Sequence, residues 1–536
     1  MLSFDPLSYP YPSRRDLVYA ARGMVASSHP LATEAGMHIL RSGGNAVDAA
    51  LAVAAALTVL DPANCGSGGD CFALVQQRGA PLVGLNASGF SPALLDKAAV
   101  TSRGFNTIPF DGWLPVTVPG APAAWCALSR RFGSLPLPEV FAPAIELAEG
   151  YALSPDNADV LNLNTAEIAQ LVPQYPELDA WFSLFNPEHK TFRAGERYAL
   201  PDLGLTLQAI AQTDGETYYR GALAEKIGTY SAVAGGLLRQ DDLATYQPRW
   251  VTPVHTRYRG YDVWELPPNG QGLTALMALN ILENFQFAGR DDPQTLHLQM
   301  EAIKLAFSDA LHEIADPACM HRTIDELLSK DYAKERSSLI TSNAQIYAPG
   351  RPIGSDTVYF CTADAEGNMV SMIQSLYRNF GSRVVVPGTG ICLQDRGACF
   401  SMQDGHVNQV APRKYPYHTI IPGFLTKDGA PIGPFGIMGG YMQPQAHVQF
   451  LMNLLDFGLN PQSALDAPRF CWQEGLTFFL ESAFSPKTVA ALRARGHDIR
   501  VVDDRTYGRG QAIFRTADGT LCGATEPRAD GCVLGY

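Results

Sequence analysis

The ten cysteines include no Cys-x-x-Cys pair and no Cys/His spacing of the zinc type, which removes the common structural zinc sites and the dithiol redox motif. There is no G-x-S-x-G elbow, no G-x-x-x-x-G-K-[ST] phosphate loop, no H-E-x-x-H and no strand-linked G-x-G-x-x-G. Most familiar hydrolase and cofactor-binding classes lose their support. Charge is scarce at 17%, and 53 acidic residues outweigh 40 basic ones for a net charge of -13, with no Lys/Arg cluster of the nucleic-acid-binding kind. No apolar run reaches the roughly 18 to 20 residues that a membrane-spanning helix needs. The nearest, Ala46 to Leu60, is shorter and contains Asp48. The opening Met1-Leu-Ser-Phe-Asp-Pro-Leu-Ser-Tyr-Pro has no basic stretch followed by an apolar one, so no export signal is expected, and a reducing, cytoplasmic setting is the default. Neither nucleic acid nor membrane is an expected partner, and neither metal nor organic cofactor is expected.

What the chain does have is length and apolar content: 536 residues, 46% of them hydrophobic, enough for a large layered core. Small-residue helices are expected at Leu31 to Arg41, Ala46 to Leu60 and Pro138 to Glu149, with strands at Cys71 to Gln76, Pro81 to Asn86 and Val116 to Pro119. Further on, the pattern gives helices at Thr165 to Leu171, Leu203 to Thr213, Gly221 to Tyr230 and Gly272 to Asn284, and one strand from Tyr258 to Leu266. Gln294 to Leu311 has helical spacing, which puts His297, Glu301 and Lys304 on a solvated face. Leu339 to Ser355 ends in a Pro/Gly-rich passage expected to be an exposed loop open to cutting. A hairpin follows, Thr357 to Asp364 and Met369 to Leu376 around Glu366-Gly367-Asn368.

Three clusters stand out: Gly66-Ser67-Gly68-Gly69-Asp70, Gly354-Ser355-Asp356-Thr357-Val358-Tyr359 and Gly436-Ile437-Met438-Gly439-Gly440. Singly, each is explained by tight turns or β propensity. Combined with Gly43 to Ala50, Ala142 to Ala148, Gly235-Gly236-Leu237 and Asp242-Leu243, they make the chain resemble, over nearly its whole length, the γ-glutamyltransferase family of N-terminal-nucleophile hydrolases. The resemblance implies an α/β (α+β) four-layer αββα sandwich, made as one chain that cuts itself between Asp356 and Thr357. The pieces, 1–356 and 357–536, would stay associated as one compact domain. By the same resemblance Thr357 is the nucleophile, Gly439 and Gly440 form the oxyanion pair, and Ser375 supplies a hydroxyl beside the nucleophile; an ordinary strand serine is an equally open role for Ser375.

The chemistry suits the residue types. Attack of the Thr357 hydroxyl on the Asp356 carbonyl, followed by ester hydrolysis, would leave a free α-amine of pKa about 7.7 to 8.0, so that one residue carries both nucleophile and base. The β-methyl of threonine restricts χ1 and helps hold the hydroxyl at its attack angle.

The resemblance breaks in the substrate pocket. The family holds a γ-glutamyl α-amine with acidic or amide side chains and its α-carboxylate with an arginine and a serine pair. Here Arg396 and Cys399 stand at amine-ligand positions, Tyr377 replaces a further amide, Ser88 stands where the arginine belongs, and His418-Thr419 replace the serines. A guanidinium repels an ammonium and attracts a carboxylate. Arg396, His418, Thr419 and Tyr377 are therefore expected to bind a small carboxylate-bearing amide. The pattern resembles the branch that includes the oxamate amidohydrolase of purine catabolism. Other roles stay open: Arg396 pairing with Asp395 or Asp404 at a turn, His418 as a core residue, Tyr377 as a packed strand aromatic. Two other functions stay open as well, a γ-glutamyl hydrolase or transferase and an unprocessed binding protein.

Overall fold

Ala46–Leu60 is a helix in which every side chain is buried. The computed structural model of the protein describes residues 15–347 and 356–536. The expectations for Met1 to Pro10, and for the part of the Pro/Gly-rich loop at 348–355, lie outside these described residues. The helix starts at a capping box: the Asn45 side chain accepts from the Val47 and Asp48 amides while the Asp48 carboxylate accepts from the Asn45 amide. Its alanines let two other helices, Pro30–Arg41 and Leu137–Glu149, approach closely, and together they cover one face of a seven-stranded sheet.

That sheet runs, edge to edge, Cys532–Gly535, Met24–Ser27, Asp356–Ala363, Met369–Tyr377, Asp70–Gln76, Val83–Ala87, Arg249–Val251, with every neighbour antiparallel. A second antiparallel sheet of seven follows the order Val18–Ala20, Leu521–Thr525, Arg509–Arg515, Ala430–Met438, Gly423–Lys427, Tyr261–Glu265, Val254–Tyr258. Alternation along Asp356–Ala363 shows how the layers join. Val358 and Phe360 pack toward the helices, and Tyr359 and Cys361 pack toward the second sheet with Phe72, Ile373, Phe424 and Ile513. Gly272–Leu282, Pro293–Glu313 and Met442–Leu455 close the outer face of the second sheet. The result is a four-layer αββα sandwich of the N-terminal-nucleophile hydrolase type. Both sheets contain strands from before and from after the Asp356–Thr357 bond.

Most expected elements appear within a few residues of their places, and three readings need correction. The single strand from Tyr258 to Leu266 is a hairpin, Val254–Tyr258 with Tyr261–Glu265, because Arg259 and Gly260 adopt φ of 49° and 85° and reverse the chain in two residues. Val116 to Pro119 forms no strand: it is a linker in which the Val118 amide donates to Phe90, and the Gly120 and Ala121 amides after it donate to the Gly69 carbonyl. His297, Glu301 and Lys304 are buried rather than solvated, because the segment 339–347 and residues near His497 cover that side of the helix. No helix among the described residues is long and apolar enough to cross a membrane, and all ten cysteines are free thiols.

Leu57, fully buried where the Ala46–Leu60 helix meets the sheet, gives a direct measure of this layer. Leu57→Ala is expected to destabilise the fold by about 2 to 5 kcal/mol, read as a lowered midpoint in chemical denaturation.

Candidate active site

Thr357 is the second residue of Asp356–Ala363 and has no solvent exposure in the continuous chain. Register shifts opposite it: Asp356 faces Tyr377 while Val358 faces Gln374, so Ser375 and Leu376 together oppose Thr357. Such a bulge re-aims side chains. Here it sets the Ser375 hydroxyl as acceptor for the Thr357 hydroxyl at 3.1 Å, and the Tyr377 amide also donates to Ser375, at 2.8 Å. The neighbouring strand approaches so closely that a β-carbon on Gly69 would lie 2.3 Å from the Ser375 carbonyl oxygen, which explains the glycine there.

Tyr377 ends its strand with φ of 85°, a left-handed conformation costly for a tyrosine. It is not an ordinary strand aromatic: its ring lies under the Arg396 guanidinium, 4.2 Å from the Cζ. Arg396 is fully buried in the short turn Arg396–Cys399. One of its terminal nitrogens donates to Thr419 Oγ1 at 2.7 Å, the other reaches Ser375 Oγ at 3.5 Å, and Nε has no partner. Among the described residues no carboxylate oxygen lies within 4.0 Å of it. The pairing with Asp395 or Asp404 is thus not made: Asp404 binds Lys97 at 2.6 Å, and Asp395 accepts from the Arg378 amide.

From Arg396 the network continues to the paired glycines. Gln271 Nε2 donates to the carbonyls of both Thr419 and Gly440, and Gln271 Oε1 accepts from the Tyr417 hydroxyl. Gly439 and Gly440 form the corner between Ala430–Met438 and Met442–Leu455, with φ of 133° and 58°. Neither of their amides donates to any acceptor among the described residues. Gly439 and Tyr441 are partly exposed, so this corner is the open side of an otherwise buried cluster. Tyr441 stacks on Tyr417 with centroids 5.8 Å apart, and Tyr441 and Cys399 flank the Tyr377 ring.

His418 is fully buried and faces Asp70, Nε2 to Oδ2 at 2.8 Å, while Nδ1 accepts from the Ile420 amide at 3.4 Å. These contacts fit the neutral ring with its hydrogen on Nε2. Burial, and after it the Arg396 charge, holds the imidazole well below its ordinary 6.5. Burial likewise pushes the Asp70 and Asp395 carboxyls up to about 7, against the pull of Arg396 in both cases. His418 therefore supports Asp70 and is not shown touching Arg396 or Thr357. Asp70, Gln271 and Tyr441 were not singled out in the sequence for these places; the only signal was Asp70 inside the Gly66–Asp70 cluster. Ser88 is engaged elsewhere, its hydroxyl donating to Asn86 Oδ1 at 2.8 Å and Asn269 Oδ1 at 3.2 Å.

The structure thus joins Thr357, Ser375, Arg396, Thr419 and, through Gln271, Gly440 in one hydrogen-bonded chain. It combines a buried threonine hydroxyl, backbone amides with no acceptor among the described residues and a buried cation, the kinds of group that acyl transfer on an anionic substrate uses. Apart from it, ligand atoms of His297, Glu301 and His497 lie within 4.8 Å of one another, a spacing that could hold a metal ion; Lys304 Nζ is 2.5 Å from Glu301 Oε1 and already serves that carboxylate.

The chain is 50% identical to the cephalosporin acylase from Bacillus halodurans, whose crystal structure superimposes with a TM-score of 0.96 over 100% of this chain and 99% of that one. It is 37% identical to the glutathione hydrolase-like YwrD proenzyme of Bacillus subtilis (strain 168), over 97% of this chain and 99% of that protein. It is also 33% identical to the oxamate amidohydrolase proenzyme of Klebsiella pneumoniae, over 96% and 99% of the two chains. The family model described as gamma-glutamyltranspeptidase matches residues 32–536. The chain belongs to the gamma-glutamyltranspeptidase family of self-processing amidohydrolases.

Proposed function

We propose that the chain cuts itself between Asp356 and Thr357 and then hydrolyses an amide whose acyl part carries a carboxylate, oxamate being the smallest such amide and oxalate plus ammonia its products. The observation that carries this reading is Arg396: a buried guanidinium with no carboxylate within 4.0 Å among the described residues, linked through Ser375 to Thr357. A buried cation of this kind is stabilised when an anion completes it. Oxamate amidohydrolase from Klebsiella pneumoniae is among the relatives; so are acylases, and a longer carboxylate-bearing acyl group is the other kind of substrate that Arg396 of this chain would hold.

Self-cleavage begins with the Thr357 hydroxyl, oriented by Ser375, attacking the Asp356 carbonyl. The acyl group moves from nitrogen to oxygen, and water then hydrolyses the ester. Fragment 1–356 keeps a carboxylate, and fragment 357–536 gains a free amine at Thr357. The fragments stay together because each large sheet contains strands of both. In turnover the amine of Thr357 takes the hydroxyl proton, the oxygen attacks the substrate carbonyl, and the Gly439 and Gly440 amides receive the developing oxyanion. Collapse expels ammonia carrying that proton, and water releases the acid from Thr357. Arg396 and Thr419 bind the substrate carboxylate, Tyr377 holds the guanidinium in plane, and His418 stays neutral and keeps Asp70 in place. Ten free thiols suit a reducing compartment such as the cytoplasm.

A γ-glutamyl substrate is the competing reading, since a glutathione hydrolase-like protein is among the relatives. Arg396 opposes it, because a glutamyl ammonium would meet a guanidinium.

Mass spectrometry of the purified wild-type chain should find a fragment beginning at Thr357, and Thr357→Ala should remain whole and inactive. An intact wild-type chain would refute self-cleavage. Ammonia release from oxamate, γ-glutamyl amides and monoamides of longer dicarboxylic acids should favour the acids without an amine; turnover of γ-glutamyl amides alone would overturn the substrate assignment. Arg396→Gln should lower kcat/KM for a carboxylate amide by about 10- to 100-fold, the usual value of a charge-assisted hydrogen bond, chiefly through KM. Asp70 and Asp395 ionise near pH 7, and each new negative charge competes with the substrate for Arg396. KM for the anionic amide should therefore rise as pH passes 7, and in Asp395→Asn the rise should be shallower.

A further inference from the structure

His297, Glu301 and Lys304 recur on one side of the helix Pro293–Glu313, and all three are buried. Buried ionic groups cost desolvation, and apolar residues often stabilise a fold equally well, so their use here calls for a geometric reason. That reason is visible in their partners. Lys304 Nζ pairs with Glu301 Oε1 at 2.5 Å, and the remaining polar atoms turn to residues 341–347, which form neither helix nor strand. Lys304 Nζ donates to the Gln345 carbonyl at 2.7 Å, and its ammonium lies 5.5 Å from the centre of the Tyr347 ring. Glu301 Oε2 accepts from the Tyr347 hydroxyl at 2.8 Å and from the Gln345 amide at 3.3 Å. His297 Nε2 meets the Thr341 carbonyl at 2.8 Å, and His297 Nδ1 meets His497 Nε2 at 2.8 Å. From the opposite wall Arg495 donates to the Ser342 carbonyl at 2.9 Å, and its own carbonyl accepts from the Ala344 amide at 2.7 Å.

An irregular segment is thus anchored at several points, and Tyr347 stands ten positions before Thr357 in the chain. We propose that Glu301 and Lys304 are positioning residues for self-cleavage: by fixing residues 345 and 347 they restrict the paths by which the chain can present the Asp356 carbonyl to the Thr357 hydroxyl. The effect is the ordinary one of tethering a reacting group close to its attack geometry. This inference rests on cleavage before Thr357 as proposed above. It adds that the rate of that cleavage is set partly at a buried cluster that takes no part in amide turnover.

The test follows the intact chain over time by mass spectrometry in the wild type and in Glu301→Gln, Lys304→Met and Tyr347→Phe. Amide hydrolysis is measured in parallel per mole of fragment beginning at Thr357. Glu301→Gln and Lys304→Met should slow cleavage by about tenfold or more, and Tyr347→Phe, which loses one hydroxyl contact and keeps the ring, by about threefold. Activity per mole of free Thr357 should stay within about twofold of wild type, which a general distortion of the fold would not allow. Cleavage at the wild-type rate in all three variants would overturn the proposal. So would a fall in activity per Thr357 terminus that parallels the loss of cleavage, or a slowing of wild-type cleavage by a metal chelator, which would make His297, Glu301 and His497 a metal site instead. A wild-type chain that yields no fragment beginning at Thr357 would sink the underlying cleavage reading and not the anchor alone.

Discussion

The antiparallel pairing of Asp356–Ala363 with Met369–Tyr377 is the constraint on which the rest of the structure depends. It places Thr357 near the start of a central strand, buried between a helical layer and a second sheet, with Met369–Tyr377 alongside it and Met24–Ser27 pairing only from Cys361 onward. The register shift opposite Thr357 brings the Ser375 hydroxyl to the Thr357 hydroxyl, and the same irregularity ends in Tyr377, whose left-handed backbone places its ring beneath Arg396. One local departure from regular pairing therefore orients the Thr357 hydroxyl and supports a cation.

The electrostatics of the cluster follow from burial. Burial depresses the imidazole of His418, the Arg396 guanidinium adds to that, and the same guanidinium opposes the desolvation that raises Asp70 and Asp395. The two carboxyls balance part of its charge from a distance and leave its hydrogen-bonding face toward Thr419 and Ser375. A cation compensated in this partial way is suited to binding an anion reversibly, because full pairing would leave nothing to exchange.

Much of the fold was legible in the chain. The helix at Ala46 to Leu60 was marked by small apolar residues between a Gly-Gly-Asn entry and an Asp-Pro stop, and the Thr357 hairpin by alternation around a Gly-Asn turn. Local signals of this kind survive because capping and side-chain alternation act over a few residues. The strand expected from Tyr258 to Leu266 missed its reversal, since apolar content alone does not report two left-handed residues. The face carrying His297, Glu301 and Lys304 read as solvated because helical spacing reveals which residues share a side and not what covers it.

Sequence by itself, through its resemblance to the family, pointed to Thr357 as the nucleophile candidate, to the paired glycines and to Arg396 at an amine-ligand position, because each is a matter of residue type at a position. Only the tertiary structure decided that Arg396 lacks a carboxylate partner, that Asp70 secures His418, that Gln271 ties Thr419 to Gly440, and that a buried ion cluster grips residues 341–347. Those outcomes depend on groups tens to hundreds of positions apart meeting in a buried space, where the partner present fixes the charge, the tautomer and the orientation of each side chain.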